Sequence, residues 1–90
     1  IMIDASHSNS RKIPARQLDV VTDIAAQVAR GNRSIIGLMI ESNLVEGRQD
    51  VVEGKPLTYG QSITDPCVKW DDTLPVLKAL AEAVRQRRAS

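Results

Sequence analysis

The stretch Ile35-Ile36-Gly37-Leu38-Met39-Ile40, closed by Glu41, constrains this chain more than any other feature. An apolar run without polar alternation does not suit a strand with one wet face; it suits a short parallel strand buried on both faces. A parallel strand needs a partner reached through a crossover, usually a helix. The upstream residues supply both. Ile1-Met2-Ile3-Asp4-Ala5-Ser6 reads as a short buried strand that turns polar at its C-terminal end. Leu18, Val21, Ile24, Ala25 and Val28 recur at three- and four-residue steps and predict a helix over 15–30. His7-Ser8-Asn9-Ser10-Arg11-Lys12 has the composition of a loop, Pro14 suits a first helical turn, and Gly31 suits a left-handed cap. The expected unit is β-α-β, with a right-handed crossover from His7 to Ser34.

Residues 42–64 carry Gly47, Gly54, Pro56 and Gly60 among polar residues. So long a connection is expected to be functional or disordered. A last helix is expected to start between Asp71 and Thr73, with Pro75 in its first turn and Leu77, Leu80, Ala81 and Val84 on one face. It ends on Arg85, Arg87 and Arg88, which complement the helix dipole. The whole reads β-α-β-loop-α. Ninety residues exclude a complete (β/α)8 barrel, which takes about 250. Since the chain opens on Ile1 inside an apolar run, the expectation is a segment of something longer.

Hydrophobic residues make up 42% and charged residues 26%, which excludes a disordered class. There is no Phe, one Trp and one Tyr, so the core must be aliphatic. A net charge of +1 gives no drive toward nucleic acid or an anionic membrane, and neither is an expected partner. Cys67 stands alone, and no secretory signal is seen, so a reducing, cytoplasmic setting is expected. Asn32-Arg33-Ser34 fits a glycosylation sequon but, without such a signal, reads as a turn.

In parallel α/β folds, functional side chains gather where strands end. His7 lies just beyond the first predicted strand and Glu41 closes the second, while Asp65 follows on the long loop in Ser62-Ile63-Thr64-Asp65-Pro66-Cys67. Neighbouring strands sit about 4.8 Å apart, so these residues can reach one ion. By spacing alone, His7 fits a hydrogen-bonded structural histidine as well as a ligand, and Glu41 fits an arginine pair. Asp4 is expected to satisfy backbone or neighbouring strand groups, and Arg11, Lys12 and Arg48 to be solvated loop charges. HExxH, paired CxxC, phosphate-loop and GxSxG motifs are all missing.

Ile3 to Ser10, Gly37 to Gln49 and Tyr59 to Cys67, in that order, resemble the C-terminal part of the microbial 3-deoxy-D-arabino-heptulosonate 7-phosphate (DAHP) synthases, in the group with feedback-regulated isoforms. The resemblance covers the whole chain. It implies a (β/α)8 barrel of which residues 1–90 form the last two β/α units, a β-α-β-α portion. It implies condensation of phosphoenolpyruvate with erythrose 4-phosphate at the head of the shikimate route, and a homo-oligomer. It further implies that His7, Glu41 and Asp65 are three of four ligands of a divalent ion, with His7 and Asp65 also near the substrate phosphates. The fourth ligand is an upstream cysteine. Cys67 does not match it, although its place suggests a position near the site. The implied shell fits Mn, Fe, Co or Zn. The 90-residue chain alone is expected to be inactive. The alternative is a non-catalytic α/β module that associates through exposed strand edges.

Overall fold

In the computed structural model, which describes residues 1–89, the order is β1 (Met2–Asp4), α1 (His7–Ser10), α2 (Pro14–Ala29), β2 (Gly37–Met39), β3 (Ser42–Asn43), β4 (Val68–Lys69) and α3 (Trp70–Ala89). β1 and β2 pair in parallel, with Met2 opposite Gly37 and Asp4 opposite Met39. The β-α-β expectation holds, with shorter strands than the apolar runs suggest. Pro14 opens α2, and its missing N–H falls where no helical acceptor exists. The other end closes on Gly31 at φ 102°. There Gly31 N–H donates to the Val28 carbonyl at 2.9 Å and Asn32 N–H to Gln27 at 3.1 Å, a Schellman cap. The sequon is a turn: Ser34 N–H donates to Asn32 Oδ1 at 2.9 Å.

The core forms between α2, α3 and the inner face of the β1–β2 pair. Ile24, Val28, Ile35 and Ala83 are buried together, and Ile3, Val20, Leu38, Leu80 and Val84 pack against them. The expectation that residues 35–40 are buried on both faces is not met. Ile36 is 80% exposed, and Ile1 and Met2 are exposed as well. Two strands covered on one side leave the other side bare. The face of α3 also differs: Thr73 and Ala83 are buried, whereas Leu77 and Ala81 are exposed. Because α3 starts at Trp70, Pro75 lies beyond the first turn and has no N–H for the Asp71 carbonyl.

Basic residues at the end of α3 do more than oppose its dipole. Arg87 donates to the Asn32 and Ile35 carbonyls, each at 3.0 Å, and ties the helix to the entry of β2, while Arg85 pairs with Glu82. Residues 7–12 include one helical turn where a loop is expected, and two further short strands appear. β3 and β4 pair in parallel, Ser42 opposite Val68, and clasp the base of the long loop. That loop is ordered by its own bonds: the Gln49 side chain reaches the Thr58 and Gln61 carbonyls at 2.8 and 3.0 Å. The molecule is elongated, with a radius of gyration of 15.1 Å against about 12 Å for a compact chain of this length. Among the described residues no helix is long and apolar enough to cross a membrane.

Gly60 offers a local test. It sits at φ 80°, and a Cβ there would lie 2.7 Å from the Cβ of Leu44. Gly60→Ala is therefore expected to destabilise the loop by about 1–3 kcal/mol, read as faster proteolysis within 44–66 with the far-UV spectrum retained.

Candidate metal centre

The site is built where β1 and β2 end. Past Asp4, the Ala5 N–H donates to the Met39 carbonyl at 2.9 Å, and then the chain turns. Asp4 Oδ1 accepts the Ser6 N–H at 2.7 Å, which fixes that turn. His7 follows at φ 49°, and Arg11 and Lys12 are also left-handed. Such a backbone costs about 1–3 kcal/mol per non-glycine residue and must be held by its surroundings. Around His7 the holding groups are carboxylates. Its Nδ1 lies 3.0 Å from Asp4 Oδ2, and its Nε2 lies 3.0 Å from Asp65 Oδ2 and 3.2 Å from Glu41 Oε1.

Glu41 stands two residues beyond β2. The hydroxyl of buried Ser6 donates to its Oε1, and Gln17, on the inner face of α2, hydrogen-bonds its backbone. Asp65 arrives from the long loop. β4 lies against β3, and Val68 N–H donates to the Glu41 carbonyl at 3.0 Å, so the residues just before β4 are drawn to the end of β2. Gly47 and Cys67 exchange backbone bonds at the loop base, and Arg48 Nε donates to the Thr64 carbonyl at 2.8 Å beside Asp65. Lys12 Nζ is 3.9 Å from Asp65 Oδ1. Lys12 and Arg48 are exposed loop charges, as expected, and Arg48 also braces the loop beside Asp65.

One potential ligand atom from each of His7, Glu41 and Asp65 lies within 4.8 Å of the others, the one such group among the described residues. All three are half-buried. The imidazole presents Nε2 to two carboxylates while a third carboxylate holds Nδ1. A proton or a cation is required between such groups. The donor set, one imidazole nitrogen with two carboxylates, suits a divalent transition metal, and Asp4 fixes the tautomer that leaves Nε2 facing the other two. A hollow of about 240 Å³ elsewhere, lined by Ile1, Ile3, Val20 and Ile24 among others, includes none of the three.

Residues 1–78 match the DAHP synthetase I family. The chain belongs to that family. It is 52% identical over 88 residues to the Phe-sensitive phospho-2-dehydro-3-deoxyheptonate aldolase of Escherichia coli K12, covering 98% of this chain and 25% of that protein. It is 51% identical over 87 residues to the Trp-sensitive phospho-2-dehydro-3-deoxyheptonate aldolase of Salmonella typhi, covering 97% of this chain and 25% of that one. The solved structure of the Francisella tularensis phospho-2-dehydro-3-deoxyheptonate aldolase superposes with a TM-score of 0.89 at 52% identity, over 96% of this chain and 25% of that structure. This DAHP synthetase I segment thus spans about a quarter of the relatives it matches.

Protonation follows the geometry. The hydrogen bond to Asp4 raises the His7 pKa above 6.5, the charges of Glu41 and Asp4 and the Asp65 bond add to this, and desolvation opposes it. Asp4 is lowered, first by that same His7 bond and then by the Ser6 N–H. The His7 contribution to stability is fully present below the unfolded histidine value and is lost as pH rises through the raised one. Asp4 contributes above its unfolded value and loses this as pH falls through its lowered one. A divalent ion held by this cluster would compete with the proton for Nε2. Divalent-ion affinity is therefore expected to weaken by about tenfold per pH unit below the raised His7 pKa, as titration calorimetry at several pH values would show.

Cys67 lies next to this cluster, as its sequence position suggests, but it is buried and its Sγ is 3.6 Å from the Asp65 carbonyl oxygen. Burial pushes its pKa up, and Glu41 and Asp65 push the same way. Its alkylation by iodoacetamide at pH 7.5 is expected to be at least about tenfold slower than that of a free cysteine peptide. Sequence reasoning missed Asp4 as the partner of His7, as well as Ser6 and Gln17. Only Gln17 leaves a signal, as the polar residue on the apolar stripe of its helix.

Proposed function

We propose that this segment belongs to a DAHP synthase that condenses phosphoenolpyruvate with erythrose 4-phosphate and releases phosphate, and that His7, Glu41 and Asp65 hold its divalent ion. The observation that carries the reading is the convergence of these three side chains from two strand ends and a distant loop. A divalent ion supplies Lewis acidity toward an aldehyde oxygen and stabilises negative charge that develops there. Glu41 and Asp65 offset the charge of the ion. His7 contributes Nε2, kept in the correct tautomer by Asp4, and Lys12 adds a positive group beside Asp65. His7 and Asp65 also border the substrate phosphates in this reading.

The paired strands are the last two of a (β/α)8 barrel, in which their bare face and edges meet the rest of the sheet. In this reading the segment is the C-terminal part of the whole protein, and the upstream remainder supplies the fourth ligand, a cysteine, and most of the phosphate-binding groups. The 90-residue chain alone does not turn over. In this reading the residues that choose the effector lie outside the segment. In the full-length protein, Glu41→Gln and Asp65→Asn are each expected to lower kcat by at least about 100-fold. Activity near that of the wild type in both would overturn the assignment.

For the isolated chain we also propose self-association. Exposed Ile1, Met2 and Ile36 lie at or beside a two-stranded sheet. Sedimentation equilibrium is expected to give a mass above that of a monomer; a monomer that melts cooperatively would contradict this.

A further inference from the structure

Glu41 sits where the chain changes partners. β2 leaves β1 after Met39, and β3 takes up β4 from Ser42, so the Glu41 N–H has no strand opposite it. It donates to Gln17 Oε1 at 2.9 Å. Gln17 Nε2 donates in turn to the Glu41 carbonyl at 3.3 Å, an oxygen that also accepts Val68 N–H at 3.0 Å. One side-chain amide thus takes the place of a missing strand rung. Gln17 is 1% exposed and shares a helix face with Val21, Ile24 and Val28. An amide buried at such a position is costly unless both its ends are bonded. Here both are, and to the same residue.

We infer that Gln17 is a positioning residue of the metal centre, whose amide fixes the Glu41 backbone and thereby sets the carboxylate against His7 Nε2. The inference rests on the reading of His7, Glu41 and Asp65 as ligands. The Ser6 hydroxyl holds one carboxylate oxygen, but the side chain can return to the same point only if its backbone does. Ligand geometry tolerates about 0.5 Å or 10–20°. With an apolar residue at 17, the Glu41 N–H loses its partner and the carboxylate loses its fixed origin.

The test uses the full-length protein with Gln17→Met, which keeps volume and removes the amide, and Gln17→Glu, which keeps an acceptor for the Glu41 N–H and places a carboxylate against its carbonyl. Mn2+ affinity is read by the EPR signal of free Mn2+, and melting is followed with metal chelated. Gln17→Met is expected to bind Mn2+ about 10–100-fold more weakly, with kcat reduced, KM for phosphoenolpyruvate nearly unchanged, and activity recovered in excess Mn2+. Gln17→Glu is expected to fall between, about 3–10-fold weaker. Glu41→Gln is measured beside them. If it loses Mn2+ while both Gln17 variants bind like the wild type, the inference is overturned and the ligand reading stands. If Glu41→Gln itself binds normally, the ligand reading fails. Should Gln17→Met not fold, Gln17→Glu decides: weaker binding supports the role, and unchanged affinity refutes it.

Discussion

His7→Ala in the full-length protein is expected to abolish metal binding at micromolar ion and to lower kcat by at least about 1,000-fold, since it removes the nitrogen donor that faces both carboxylates. Loss of an outer partner of a metal site typically costs about 10–100-fold in affinity, and loss of a ligand exceeds that. His7 Nε2 stands 3.0 and 3.2 Å from Asp65 and Glu41, so without it two carboxylates face each other, and among the described residues no other donor completes the group. Asp4→Asn is the graded companion. It keeps an oxygen for Nδ1–H but loses the charge, and should cost about 10–100-fold. Equal affinities in the two variants would show that His7 is not a ligand.

Ile24→Ala is expected to remove about 2–5 kcal/mol of stability. Ile24 is 4% exposed and belongs to the core cluster with Val28, Ile35 and Ala83, which joins both long helices to the strands. In a chain of this size about 1 kcal/mol moves Tm by 4–8 °C, so the melt should fall by at least about 8 °C. Because the same core holds β1 beside β2, His7 and Glu41 lose their common frame when it loosens, and ion binding should weaken at temperatures where the wild type is still folded. A Tm within about 2 °C of the wild type, in thermal circular dichroism, would contradict this core.

Much of this was legible because it follows from local rules. Gly31 marks the end of α2, the spacing of Val21, Ile24 and Val28 marks its inner face, and the unbroken run before Glu41 marks a parallel strand. The three candidate ligands followed from where strands end, together with the family resemblance, and they do converge. What stayed hidden depends on long-range partners. β3 and β4 are two residues each and exist only because the chain returns after the long loop, which no local pattern announces. Apolarity alone does not give the buried face of α3: burial of Thr73 follows from its hydroxyl, which bonds Ser42 Oγ at 2.6 Å and the Lys69 carbonyl at 2.9 Å, and Leu77 is left outside. Asp4 looked like a strand-end residue because its bond to the His7 ring exists only once the turn at Ser6 is made.

Coordination of a divalent ion through His7 Nε2, with Asp4 holding Nδ1, can be observed by NMR. The chain has a single histidine, so a 15N-histidine-labelled sample gives one imidazole spin system. On titration with 113Cd2+, a 113Cd–15N coupling is expected at Nε2, Nδ1 is expected to stay protonated, and both signatures should vanish in Glu41→Gln/Asp65→Asn. Coupling at Nδ1, or an imidazole unchanged by Cd2+ in the folded chain, would show that His7 does not coordinate in this way.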